Sequence, residues 1–272
     1  DAKIDDCYDI KGVSTKNTGW FCELSNNKDR HVDFILYGDS HAASAIPAFR
    51  QYGELLGLRG IATTRSECPP LIGLNSSLPN RANDCSLISE KILNYAQANN
   101  VATVFLVGMW SNYTEQPRIS DSKTGIQPSN YSERVSMLRK GLERSIKKFE
   151  NIGTKIVLVG PTPLQNYWPR QVYKHIYLLP KPLMQTKLDK LHSNLKDHNR
   201  IHKHLFKIFK SKVSNSFLYF DTTPYYCDKT KCLIGTLDRS FYADTNHLSA
   251  AGTQGIYNML VDNSDLILEK IN

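Results

Sequence analysis

The feature that most restricts the fold is a set of short apolar runs recurring between stretches of helical period. Asp33-Phe-Ile-Leu-Tyr37, Gly60-Ile-Ala-Thr-Thr64, Val101-Ala-Thr-Val-Phe-Leu-Val107, Lys155-Ile-Val-Leu-Val159 and Phe217-Leu-Tyr-Phe220 all have strand length. The third is nearly all apolar, as a strand buried on both faces must be. Between them, 42–58, 86–99 and 131–151 carry helical spacing, with Ser86 as a cap and Gly153 where a helix ends on glycine. A closing helix is expected from Ser249 onward. Strands alternating with helices predict one α/β domain, a parallel sheet with helices on both faces. The 272 residues, 40% hydrophobic, suffice to bury a core without a metal or a staple. No apolar run approaches the roughly 18 residues that a membrane crossing needs.

Two segments stand apart from this alternation. Residues 1–32 are polar and aperiodic and read as a linker or strap, tied by Cys7 and Cys22. Between Pro180 and Lys212, Met184, Leu188, Leu191, Leu195, Leu205 and Phe209 follow four- and three-residue steps, which predicts one long helix. His198 and His202 fill the two skipped positions of that seam. Their i, i+4 spacing suits a metal, but only His204, on another face, is near as a third ligand. Histidines hydrogen-bonded within the packing are the expectation, and no metal site is predicted.

The six cysteines fall as near neighbours, Cys7 with Cys22, Cys68 with Cys85 and Cys227 with Cys232. Proximity and the intervening turn formers Pro69, Pro70 and Pro79 favour these pairs among the possible connectivities. Zinc is the rival, but there is no C-x-x-C and no histidine at ligand spacing. Disulfides imply an oxidising compartment. The first residues show neither a basic n-region nor an apolar h-region. A mature form or one piece of a longer protein reconciles the two.

The net charge of +8 is concentrated: residues 170–212 hold 11 Lys and Arg against Asp189 and Asp197, a local +9. Such a band suits an anionic glycan or lipid surface, or is simply a solvated helix face. No RNP, zinc-finger or helix-turn-helix signature supports nucleic acid as a partner.

The chemistry sits at the two ends of the chain. The first strand runs into Gly38-Asp39-Ser40-His41-Ala42 and a helix, so Ser40 stands beyond the carboxyl end of a strand, where α/β sheets bind ligands. Its N–H opens a helix and suits an oxyanion; taken alone, Ser40 would be read as a helix cap. Asp244-Thr-Asn-His247 precedes the last helix, and Asp244 can orient His247 as a general base for Ser40. Either motif alone is also explained by capping; their conjunction points to a Ser-His-Asp catalytic triad.

Gly38-Asp39-Ser40 and Asp244-x-x-His247 resemble the first and last blocks of the SGNH (GDSL-like) hydrolase superfamily, over roughly 33–262. Tyr-Gly-Asp-Ser-His-Ala, Cys68-Pro69-Pro70 and the later Asp-x-x-His look more narrowly like the periplasmic SGNH domains fused to bacterial acyltransferase-3 membrane proteins, which O-acetylate surface polysaccharide. The resemblance implies a doubly wound, flavodoxin-like sheet of five parallel strands, order 2-1-3-4-5, over 33–272, with 1–32 as the tether from the membrane module. The middle blocks depart from the superfamily. Thr64-Arg-Ser-Glu-Cys-Pro-Pro70 lacks the oxyanion glycine, leaving Ser66 as candidate donor beside the Ser40 N–H. Val107-Gly-Met-Trp-Ser-Asn-Tyr113 puts Trp110 where asparagine belongs, and Asn112 replaces it only if the loop is shifted.

What the resemblance implies is an O-acetyltransferase domain acting on lipopolysaccharide O-antigen through an acetyl-serine, at the periplasmic face of the inner membrane. Its partner is the acyltransferase-3 membrane domain in the same polypeptide. No cofactor is expected in this domain; the acetyl donor derives from acetyl-CoA through the membrane module. A carbohydrate acetyl esterase would use the same triad. A glycan-binding module with a vestigial triad would use Trp110 and Tyr113, with Tyr167 and Trp168, as a sugar platform; Trp110 is equally read as a core residue.

Overall fold

Alternating side chains on the strands divide two cores, and this division organises the molecule. The structure, a computed structural model, describes Cys7 and residues 19–26, 29–81 and 84–269. In chain order the elements are β1 (Cys22–Glu23), β2 (Phe34–Gly38), α1 (Ser40–Leu56), β3 (Gly60–Thr64), β4 (Leu74–Ser76), α2 (Asp84–Ala98) and β5 (Thr103–Val107). Next come α3 (Asn112–Glu115), β6 (Ile119–Asp121), α4 (Tyr131–Glu150), β7 (Lys155–Val159), α5 (Pro169–Ile176), α6 (Lys181–Asp189) and β8 (Ser193–Asn194). The chain ends through α7 (Leu195–Lys210), β9 (Phe217–Phe220), α8 (Thr223–Tyr226), β10 (Lys231–Cys232), α9 (Thr253–Asp262) and α10 (Ser264–Leu268).

The central sheet has the order β1-β3-β2-β5-β7-β9. Its five long strands are parallel and follow the expected 2-1-3-4-5 order. Successive residues of each strand enter opposite cores, as the pleat requires. Ile35, Tyr37, Val104, Leu106, Ile156 and Leu158 face one core, under α2, α4 and α7. Phe34, Leu36, Phe105, Val107, Val157 and Val159 face the other, under α1 and α9. A third, small core of Val172, Tyr173, Ile176, Leu188 and Ile234 belongs to the α5–α6 hairpin and the segment after β10.

Three expectations change. A sixth strand, β1, pairs antiparallel with β3, and Trp20 and Leu24 are buried in the two main cores. Residues 19–26 therefore belong to the folded domain rather than to a tether; the rest of 1–18 apart from Cys7, and residues 27 and 28, lie outside the described residues. The long helix over 180–212 is broken at 190–194, where Ser193–Asn194 pairs with Lys231–Cys232 and the Asn194 side chain caps α7 by accepting from Lys196 N–H. The apolar seam is continuous in sequence because its first half feeds the small core and its second half the large one. The closing helix starts at Thr253 rather than Ser249, after a turn in which the Ser249 hydroxyl accepts from Gly252 N–H.

All three expected disulfides form: Cys7–Cys22, Cys68–Cys85 and Cys227–Cys232. His198 Nε2 lies 3.1 Å from Thr223 Oγ1, and His202 Nδ1 donates to the His198 carbonyl at 2.9 Å. Among the described residues no group of three His, Cys, Asp or Glu is arranged to hold a metal.

Burial lowers His198 to about 3, helped by His202, and lowers His202 to about 4 against the hydrogen bond to the His198 carbonyl. Both rings are neutral in the folded state, whereas the unfolded chain protonates them below their ordinary 6.5. Acid therefore favours unfolding: stability falls as pH drops from about 6.5 toward 4, by up to about 1.4 kcal/mol per pH unit for each histidine. Denaturant unfolding across this range checks it, with the His198→Asn/His202→Gln variant expected to flatten the slope. An unchanged slope in that variant would contradict the assignment.

Candidate active site

The nucleophile turn is built around a glycine, a cap and a hydroxyl. At Gly38 a β-carbon would lie 1.8 Å from the Val107 carbonyl oxygen, so only glycine lets β2 pass β5 this closely. Asp39 caps α1 by accepting from His41 N–H at 2.8 Å. Because Asp39 is the cap, Ser40 occupies the first helical position, where the N–H has no intrahelical acceptor and the helix dipole is positive. Asp39 is 2% exposed, and its second oxygen accepts from Met109 N–H at 2.8 Å and from the Tyr113 hydroxyl at 2.5 Å. Three donors from three elements thus satisfy the buried carboxyl. Burial, then the Asp39 charge, push the Tyr113 phenol far above its ordinary value, so it remains a donor.

The partners arrive from the far end of the chain. Ser40 Oγ lies 2.7 Å from His247 Nε2, and His247 Nδ1 lies 2.7 Å from Asp244 Oδ2. The other Asp244 oxygen accepts from the N–H groups of Asn246 and His247, both at 2.8 Å. Burial works to raise Asp244, but these two N–H groups and the His247 ring outweigh it and hold the carboxyl below its ordinary range. With Nδ1–H committed to the carboxylate, Nε2 is the acceptor for the Ser40 hydroxyl proton. Ser40 is half-buried, and the His247 and Asp244 side chains retain 30% and 28% exposure, so the serine can be reached.

The loop that carries them is braced from both sides. Ala243 N–H donates to the His247 carbonyl at 2.9 Å, and Gln165 N–H donates to the Thr245 carbonyl at 2.7 Å. His41, buried, lies 4.8 Å from the His247 ring between centroids, with its Nε2 3.2 Å from Asn246 Oδ1. Burial lowers His41, although the charge on Asp39 opposes this, so the neighbour of the base is an uncharged ring. A positive charge there would oppose protonation of His247.

The remaining predicted site residues fare differently. Trp110 and Tyr113 are fully buried, which corrects the expectation that they contact substrate. Trp110 donates its indole N–H to the Val159 carbonyl at 2.8 Å and packs edge-on against Phe209; Tyr113 is spent on Asp39. Both polar tips find internal acceptors, which lets the rings enter the core. Ser66 lies in the turn after β3, half-buried. Asn112 heads α3, and its Nδ2 donates to Glu67 Oε2 at 3.1 Å. Glu67 itself has φ 63°, a left-handed conformation rare for a side chain of this size. That turn is clamped on α2 by Cys68–Cys85 and by Arg65, whose Nη2 lies 2.6 Å from Asp84. The sequence reading missed His41, Asn246, Gln165 and Glu67. The histidine within Gly-Asp-Ser-His was the one available signal; backbone contacts and a positive φ leave none.

With this geometry in hand, comparison with known proteins gives a consistent result. Residues 6–261 match the family model described as SGNH domain (fused to AT3 domains). Comparison with curated protein sequences gives no match. Among solved structures, the periplasmic domain of a lipopolysaccharide acetyltransferase from Salmonella ser. Paratyphi A superposes with a TM-score of 0.57 at 16% identity, over 86% of this chain and 84% of that one. A GDSL-like lipase from Bacteroides thetaiotaomicron gives 0.47 at 10% identity (86% and 88% covered), and an acetylxylan esterase from Geobacillus stearothermophilus gives 0.44 at 12% (87% and 94% covered). These likenesses speak to the fold.

Asp39→Asn tests the buried carboxyl. An amide can still accept from His41 but sets an NH₂ against Met109 N–H, leaving a buried donor unmet at about 1–3 kcal/mol. Chemical denaturation should show that loss, and labelling of Ser40 by a fluorophosphonate should slow. Unchanged stability and labelling would remove Asp39 from the site's support.

Proposed function

Because the chain belongs to the family of SGNH domains fused to AT3 domains, we propose that it transfers an acetyl group to a sugar hydroxyl of a lipopolysaccharide O-antigen through an acetyl-serine at Ser40. The observation that carries the reading is the continuous chain Ser40 Oγ, His247 Nε2, His247 Nδ1, Asp244 Oδ2, with 2.7 Å at both contacts. In the first half-reaction Ser40 Oγ bonds to the acetyl carbonyl carbon while its proton passes to His247 Nε2. Asp244 stabilises the imidazolium and holds the ring in place. The leaving group takes that proton as its bond to the acetyl breaks. In the second half-reaction a sugar hydroxyl gives its proton to His247, its oxygen bonds to the acetyl carbon, and Ser40 leaves with the proton returned.

The Ser40 N–H at the start of α1 serves the developing oxyanion, with Ser66 and Asn112 as the further candidates. No step in this scheme needs a cofactor within the domain. The donor reaches Ser40 from acetyl-CoA through an acyltransferase-3 module of the same polypeptide, and the setting is the periplasmic face of the inner membrane. Three disulfides support an oxidising compartment. The Salmonella domain named above, a lipopolysaccharide acetyltransferase, supports the acceptor class. Among the described residues no helix is long and apolar enough to cross a membrane. Burial of Trp110 and Tyr113 removes half of the sugar platform on which a purely glycan-binding module would rely.

Incubation with an activated acetyl ester, followed by mass spectrometry, should trap an acetyl group on Ser40. Ser40→Ala should abolish it, and Asp244→Asn should slow acylation by about 10²–10⁴-fold. Added O-antigen polysaccharide should be acetylated and should shorten the lifetime of the acyl-enzyme. Release to water at a rate indifferent to polysaccharide would instead make the domain an esterase.

A further inference from the structure

We propose that the outer surface of the α5–α6 hairpin docks onto an anionic phospholipid bilayer. The inference stands on the surface itself and is independent of the acetyl-transfer reading.

The hairpin leaves the sheet after β7, at the same carboxyl end where Ser40 follows β2. Its inward side chains, Val172, Ile176 and Leu188, are spent on its own small core. What remains outside is apolar as well: Trp168 is 55% exposed, Leu178 77% and Leu183 53%. Trp168 stands before α5, Leu178 in the turn between the helices and Leu183 on α6, so the apolar positions span the length of the hairpin. Neither the hairpin's core nor the main cores use them.

Cations dominate the hairpin, and its one acid, Asp189 at the end of α6, lies 3.3 Å from Lys231. Arg170, Lys174, Lys181 and Lys187 are all exposed, and from Leu164 to Leu188 there is no Asp or Glu. The exposed side chains of the hairpin therefore combine an indole and two leucines with four cations. That is the composition of a segment lying in a membrane interface, where the indole sits at headgroup level, the leucines enter the acyl boundary and the cations meet lipid phosphates. A soluble anionic polysaccharide would satisfy the cations and the indole but leave Leu178 and Leu183 in water. Lipid accounts for all of them.

The segment that leads into the hairpin also touches the site. Gln165, three residues before Trp168, donates its N–H to the Thr245 carbonyl within the loop that carries Asp244 and His247.

The test is co-sedimentation of this chain with phosphatidylcholine vesicles, with and without phosphatidylglycerol, at low and high salt. Of its three tryptophans, Trp20 and Trp110 are buried, so a blue shift of the emission on adding vesicles reports Trp168. Binding that requires phosphatidylglycerol, weakens with salt and carries the blue shift is expected. Leu178→Glu and Lys174→Glu/Lys181→Glu should each lower partitioning by about tenfold or more, the first by placing a charge in the acyl boundary and the second by removing cations from the lipid phosphates. The charge-matched control Lys203→Glu/Lys207→Glu, on exposed positions of α7, should lose less, and thermal melts check that every variant is folded. The proposal is overturned by absence of binding, by binding that Leu178→Glu leaves intact, by an equal loss in the α7 control, or by binding to soluble anionic polysaccharide alone.

Discussion

A buried carboxylate at Asp39 is the contact on which the rest of the site depends. Removing a carboxylate from water costs several kcal/mol unless donors replace the solvent. Here the donors are His41 N–H, Met109 N–H and the Tyr113 hydroxyl, so the cost is offset only when α1, the loop after β5 and α3 are all in place. The same residue caps α1 and thereby releases Ser40 from capping. One side chain fixes the turn, and the next is free to react.

The second half of the site is positioned by helix packing. Ser40 opens α1 and His247 lies shortly before α9, and these two helices share one face of the sheet. Ala45 and Phe49 of α1 join Ile256 and Leu260 of α9 in a common core, which brings residues 207 positions apart to hydrogen-bonding distance. The Asp244 turn then sets the imidazole locally, because both N–H groups that it accepts belong to Asn246 and His247 themselves. Long-range packing delivers the loop, and a short-range turn aims the ring.

The parts legible in the sequence are those with a period or a chemical signature. Each of the five parallel strands announced itself as a run of strand length, and the Ser40–His247–Asp244 arrangement as two short motifs at the right ends of their elements. β1 was illegible because two residues, Cys22 and Glu23, are too short to show alternation; only their pairing with Ala62 and Ile61 defines them. The break between α6 and α7 was hidden by a seam that runs on at helical spacing while serving two different cores. Trp110 and Tyr113 were ambiguous by nature: an aromatic residue with a polar tip goes to the surface or the interior according to whether an acceptor waits inside. The Val159 carbonyl and the Asp39 carboxyl are those acceptors, and neither can be seen from the residues beside them in the chain.

Burying Trp110 also has a chemical consequence. Its indole N–H is held by Val159, so the position at which the superfamily resemblance leads one to expect an asparagine supplies no donor to an oxyanion. Asn112, the nearest replacement in sequence, has its amide on Glu67, whose left-handed backbone is held in a turn clamped by Cys68–Cys85. Each missing donor is worth about 2.7–4 kcal/mol of transition-state stabilisation, or roughly 10²–10³ in rate. Fewer donors beside the Ser40 N–H slow every attack on the acyl-serine, by water or by a bound hydroxyl. A sugar hydroxyl held beside the acyl carbon recovers the lost rate through proximity, for which effective molarities reach about 10⁵ M or more. The loss of a donor falls on water and on a sugar hydroxyl alike, because both form the same oxyanion, so any preference between them is set by how the acceptor is held and not by the oxyanion donors.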